Sequence, residues 1–161
     1  MRIRPILLGV LVVALTMCAE RLVFAQAASG FQPVTSSDAA HIVQAGFGVY
    51  NTDTTTSRSI TSTYEIVTPF ITGTSVSLRA YLYNSSTASS TCVAYAADLS
   101  NSSIPVTKGT GASTTTFGQT HIDFGVGTPN IDTYAISVVC TLSKSAGGGN
   151  NTTLWAVGPG V

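Results

Sequence analysis

The stretch "DTYAISVVCTL", residues 132–142, decides the fold. Tyr134, Ile136, Val138, Cys140 and Leu142 fall on one face of an extended chain, and Thr133, Ala135, Ser137, Val139 and Thr141 on the other. A period of two is that of a β-strand whose successive side chains point to opposite sides of a sheet. One face is almost wholly apolar, so the strand needs cover on that side. Cys140 belongs to the covered face, which raises the question of whether its sulfur is a thiol with chemistry or half of a disulfide.

The same period recurs along the chain. Val76, Leu78, Ala80 and Leu82 alternate with Ser77, Arg79, Tyr81 and Tyr83; Ile60, Tyr64 and Ile66 oppose Thr61, Thr63 and Glu65; Ile122, Phe124 and Val126 oppose His121 and Asp123. In "HIVQAGFGVY", Val43, Ala45, Phe47 and Val49 are expected to share a face. Between the runs lie "NTDTTTSR", "TGT", "NSSTASS", "KGTGA", "GTPN" and "KSAGGGNN", built from residues that favour turns through positive φ, fixed φ or local side-chain hydrogen bonds. Roughly eight strands at this spacing predict an all-β, two-sheet antiparallel β-sandwich in preference to a barrel, because each half-apolar sheet needs a partner. "GTPN" is expected to join strands 120–126 and 133–142 as a hairpin, "NSSTASS" to link strands 75–83 and 91–97, and "GGGN" at 147–150 to form a hairpin tip. The one helical signal is a turn near "SSDAAH" with Ser37 as cap. Segments 51–58 and 144–151 read as loops. No fixed-length repeat appears, so a solenoid is not expected.

The N-terminus reads as a secretory signal peptide, residues 1–27: Arg2 and Arg4, then the apolar run "ILLGVLVVALTM", then "AQA" with Ala25 and Ala27 at the small positions before a cleavage point. A lipoprotein reading at Cys18 meets Met17 where a small residue belongs. Residues 28–161 are then one secreted domain, periplasmic or extracellular, with no later segment apolar enough for a transmembrane anchor. That domain carries Arg58, Arg79, Lys108 and Lys144 against Asp38, Asp53, Glu65, Asp98, Asp123 and Asp132. So few cations, none clustered, exclude a phosphate-neutralising surface and hence nucleic acid as a partner. Alternation with Val, Ile, Tyr and Phe separates this Ser/Thr/Gly/Asn-rich chain from disordered ones.

Removal of the signal segment leaves Cys92 and Cys140, 48 positions apart, and an oxidising compartment favours their pairing. Ala94 and Ala96 share the face of Cys92 and leave room for the bridge. A reactive thiol would want a nearby cation and exposure, and a zinc site close ligand spacing; neither pattern is present. The immunoglobulin pattern of Tyr two residues before the second cysteine, with Trp between the cysteines, is not met: Val138 holds that position and Trp155 follows both cysteines. The sandwich topology, jelly-roll-like or immunoglobulin-like, is left open.

Candidate chemistry is thin. His121 and Asp123, two apart on one strand face, have the types to ligate a metal or orient a base but lack a third group in sequence, as does His41 near Asp38. There is no Gly-x-Ser-x-Gly elbow, no paired carboxylates and no P-loop. The expectation is therefore a non-enzymatic protein without metal or cofactor. Tyr81 and Tyr83, beside Arg79 on a polar strand face, and Trp155 are candidate binding residues, because outward aromatics stack on sugar rings or anchor protein interfaces. Carbohydrate and another surface protein are the candidate partners. Asn84, Asn101, Asn150 and Asn151 each begin an Asn-x-Ser/Thr triplet, which such a composition produces by chance as easily as by design.

Overall fold

The computed structural model describes residues 26–27, 30–46, 48–67, 75–98, 106–127 and 133–160. Residues 1–25 of the expected signal peptide, Cys18 among them, and Asn101 lie outside them. The described residues are all-β apart from one four-residue helix. Its strands are β1 (Gln26–Ala27), β2 (Gln32–Pro33), β3 (Ile42–Ala45), β4 (Gly48–Asn51), β5 (Arg58–Val67), β6 (Ser75–Asn84), β7 (Ser90–Asp98), β8 (Val106–Lys108), β9 (Ala112–Thr114), β10 (Gly118–Gly127), β11 (Thr133–Leu142) and β12 (Thr152–Pro159), with α1 (Ser36–Ala39) between β2 and β3. They form two antiparallel sheets: β10-β6-β12-β4-β3 with β1 beside β12, and β2-β5-β11-β7-β8 with β9 beside β7. One buried cluster takes side chains from both, an arrangement consistent with a β-sandwich.

The alternation read from sequence sets the core. Leu78, Ala80 and Leu82 of β6, Ile122, Phe124 and Val126 of β10, and Ile136, Val138, Cys140 and Leu142 of β11 are buried. Each large aliphatic side chain so enclosed contributes about 1.5–3 kcal/mol. Cys92, Ala94 and Ala96 form a buried row of small side chains on β7. Their size lets β10 pass with Cα atoms within 8 Å of β7, closer than the usual sheet separation of about 10 Å. On that side Gly109 donates its amide to Ala94 O at 2.8 Å and Thr110 bridges to Gly125, tying the second sheet to the edge of the first. On the other side Phe31 is fully buried, its carbonyl accepting from Gln44 Nε2, and Val34 N donates to Ser59 O.

Among the long strands, chain order and sheet order differ. Each of β6, β7, β10, β11 and β12 lies in the sheet opposite to the long strand before it. The expected "GTPN" hairpin is therefore corrected: β10 pairs with β6, and β11 pairs with β5 and β7. "NSSTASS" joins β6 to β7 as expected in sequence, but it crosses between sheets. Alternation reports that a strand has one covered face; it carries no information about which strand lies alongside. "HIVQAGFGVY" is a second correction. Gly46, at φ 58, turns the chain, so β3 and β4 form a hairpin with Ile42 and Val49 buried and Val43 and Ala45 exposed. Phe47 and the side chains of residues 63–67 and Tyr134 lie outside the described residues.

The helix cap is a third correction. Thr35, not Ser37, caps α1: its hydroxyl accepts from Asp38 N while the Asp38 carboxylate accepts from Thr35 N, a reciprocal capping box.

Five crossings between sheets among the described residues, β2 to β3, β4 to β5, β6 to β7, β9 to β10 and β11 to β12, gather at one end of the sheets. Buried polar side chains lace them together. Asn51 Nδ2 donates to Leu142 O and Ser143 O. Asn84 Oδ1 accepts from Ser90 Oγ at 2.6 Å and from Ser143 Oγ, and its amide nitrogen donates to Thr114 O. The Thr152 hydroxyl bonds with those of Ser85 and Ser143 at 3.0 Å each. Buried polar groups persist when partnered in this way. Gly147, Gly148 and Gly149, all at positive φ, form the tip between β11 and β12.

A candidate binding face on the first sheet

The solvent face of the first sheet gathers most of the residues singled out in sequence. Register places Arg79 opposite Asp123, Tyr81 opposite His121 and Tyr83 opposite Gln119 across the β6–β10 ladder. On the other flank, Tyr81 pairs with Ala156 and Tyr83 with Thr153, which pairs in turn with Tyr50. Tyr81 is 44% exposed and Phe117, just before β10, is 62% exposed. The Tyr83 and Phe117 rings lie 6.1 Å apart at 60°, the tilted geometry that aromatic quadrupoles favour. Tyr83 is half-buried in consequence, and the two rings do not make one flat platform. Tyr50 lies over Gly48: a Cβ there would meet its ring at 3.2 Å and the Thr153 methyl at 2.9 Å.

Trp155 enters by a different route. β12 shifts register against β6 between Leu154 and Ala156, with Leu154 and Val157 both buried. Trp155 is the extra residue of this β-bulge, half-buried beside the Tyr81 position.

The polar part of the face is ordered by an ion pair. Arg79 Nε donates to Asp123 Oδ1 at 2.6 Å and Nη2 to Oδ2 at 2.9 Å. This bidentate fork fixes both groups in a plane. Arg79 holds the Asp123 carboxyl below the ordinary carboxylate range, and Asp123, with a smaller share from the Tyr81 hydroxyl, raises the guanidinium. His121 Nε2 stands 3.7 Å from Asp123 Oδ2. The His121–Asp123 pair read as a candidate base or metal site thus sits on an open sheet face with its carboxylate already held by arginine. Among the described residues no three His, Cys, Asp or Glu side chains converge to hold a metal ion.

The other polar sites are structural in their contacts. His41 Nε2 is 3.8 Å from Asp53 Oδ2. Asp53 accepts from the hydroxyl and amide of Thr55, from Thr56 N and from Arg58, which together hold its carboxyl far below the ordinary range. The 51–58 loop is therefore closed on itself. Cys92 and Cys140 form a disulfide between directly opposed positions of β7 and β11. Over it lies a shallow concavity of about 270 Å³, lined by Thr91, Val93, Lys108, Gly111 and Ser113 among others. Asn84 is fully buried, which removes it from any list of accessible glycan acceptors in the folded protein.

Phe117, Tyr50 and Val43 were not legible as members of this face. Phe117 sits alone in "STTTFGQT", and its one signal is an aromatic residue next to Gly118 at the start of a strand. Tyr50 and Val43 join only because β3 and β4 fold back as a hairpin. No family model matches the chain, and no curated protein matches its sequence.

Proposed function

We propose that the chain is a secreted, non-catalytic β-sandwich protein, with residues 1–27 a signal peptide and residues 28–161 one domain. It acts by binding, or by structural presence, at or outside the cell surface. The observation that carries this reading is the aromatic face around Tyr81, Tyr83 and Phe117, with Tyr81 and Phe117 exposed, on a hydrogen-bonded sheet that holds the side chains in place. Carbohydrate is the ligand class that this chemistry favours, with Tyr81, Tyr83 and Trp155 as the stacking residues; a surface protein is the other. Among the described residues no helix is long and apolar enough to cross a membrane. Processing after Ala27 would also detach β1, which pairs with Ala156 and Val157, and so open that edge of β12 beside the face.

The test is fractionation of cells expressing the full chain, with N-terminal sequencing of the exported form and cell-surface retention of the Tyr81→Ala, Phe117→Ser variant. Export with a new N-terminus near Ala28, and loss of surface retention in the variant, is the expected result. An unprocessed chain that stays inside the cell would defeat the reading.

A further inference from the structure

We propose that the surface around Tyr81 is a subsite for a neutral sugar ring in which Tyr81 supplies the stacking surface and the Arg79–Asp123 pair, with His121, recognises adjacent hydroxyls. This rests on the reading of the first sheet's outer face as a binding surface and gives that face a ligand class and a polar half.

The argument starts from register. Tyr81 and Arg79 are two apart on β6 and so share a face, and their cross-strand partners on β10 are His121 and Asp123. The four residues occupy adjoining squares of one ladder, with direct neighbours about 4.5–5.5 Å apart at Cβ and diagonal ones about 7–8 Å. That span matches one pyranose ring and its substituents. Tyr81 offers an exposed apolar ring that suits the C–H face of a sugar. Asp123 is 47% exposed and uses one position on each oxygen for Arg79. A carboxylate has about four acceptor positions, so positions remain for hydroxyl donors. The guanidinium has five N–H donors, and the fork occupies two. Donor and acceptor thus stand side by side, as a vicinal diol requires, with hydroxyls donating hydrogen bonds to the carboxylate and accepting them from the guanidinium N–H groups. His121 brings a further nitrogen to the Oδ2 side of the carboxylate.

Charge selects among sugars. The arginine and aspartate neutralise one another, and no other Lys or Arg lies in the β6, β10 or β12 ladders. An anionic glycan would bring its charge to Asp123 without a free cation to meet it. The bidentate geometry also keeps both groups in position before a ligand arrives, which lowers the ordering cost of binding.

The test uses the full-length exported protein in affinity electrophoresis and pull-down against cellulose, chitin and starch as neutral probes and polygalacturonate as the anionic one. Wild type is expected to be retained by at least one neutral polysaccharide and not by polygalacturonate. Tyr81→Ala should abolish retention. Asp123→Asn and Arg79→Lys, which keep size while breaking the fork, should each weaken it by about tenfold, the scale of hydrogen bonds to a charged group. Lys144→Ala, on the exposed crossing loop, should change nothing. Thermal melts of every variant exclude unfolding as the cause. Retention lost with Tyr81→Ala but unchanged by Asp123→Asn and Arg79→Lys would overturn the polar half and leave a purely aromatic surface. Retention by polygalacturonate alone, or by none of the four, would overturn the sugar assignment. In that last case, loss of cell-surface retention in the Tyr81→Ala, Phe117→Ser variant would still stand for the binding face itself.

Discussion

Cys92 and Cys140 face each other across the β7–β11 ladder, 4.1 Å apart at Cα, and their sulfurs are bonded. The bond closes 48 positions of sequence, so its main effect is on the unfolded chain, whose conformational freedom it reduces. The Cys92→Ala, Cys140→Ala double variant should lose about 2–4 kcal/mol of stability in urea titrations, and alkylation of the unfolded, unreduced wild type should find no thiol from this pair. Two free thiols would refute the staple.

Asn84 accepts hydrogen bonds from both Ser90 and Ser143 in a fully buried setting. Asn84→Ala takes the acceptor from the buried Ser90 hydroxyl and leaves that of Ser143 with Thr152, and the cost should be about 1–3 kcal/mol in chemical denaturation. Thr87→Ala, in the exposed part of the same crossing, should stay within about 0.5 kcal/mol of wild type. Equal effects would mean that the crossings are not held by this network.

Stability should decline in acid through Asp53 and Asp38. Thr55 and Arg58 depress the Asp53 carboxyl. At Asp38 burial pushes the other way, but hydrogen bonds from Thr35 and Ser59 outweigh it and the net direction is also down. The unfolded chain therefore binds protons more readily at both sites, so their contribution is present above the unfolded carboxylate range, about pH 4, and is lost as pH falls through it toward the folded values. Urea midpoints should be steady for these groups between about pH 5 and 7 and drop below about pH 4, with a smaller drop in Asp53→Asn. A midpoint that rises on acidification would contradict the assignment.

Gly109 passes so close to β10 that a Cβ on it would lie 2.0 Å from the Gly125 carbonyl oxygen. Backbone cannot give way as a side chain can, so Gly109→Ala should cost at least about 1–3 kcal/mol by thermal melting. Gly127→Ala, with no atom within 4 Å of its added carbon, serves as the comparison and should be close to neutral.

The covered faces of β6, β10 and β11 were legible in the sequence because a strict period of two has one structural meaning. The disulfide was legible from two cysteines and a compartment argument. Sheet membership was not: Leu142 and Thr152 flank a Gly-rich turn that looks like a hairpin, yet it carries the chain from one sheet to the other. The pairing of Arg79 with Asp123 was hidden for the same reason, since nothing in a single strand names its neighbour. Trp155 escaped the alternation because the bulge adds one residue between two inward positions. The network at the crossings was invisible, because Ser, Thr and Asn in turns look alike whether they face water or one another.

The crossings at this end give the two sheets a spine. Asn84, Ser90, Ser143 and Thr152 are buried and bonded to one another there, so backbone amides around Ser85–Ser90 and Ser143 should be among the last to exchange with solvent. Tyr83 and Gln119 stand at this end of the β6–β10 ladder, and Arg79 and Asp123 four positions further along it. The aromatic part of the outer face is therefore the part that the spine anchors.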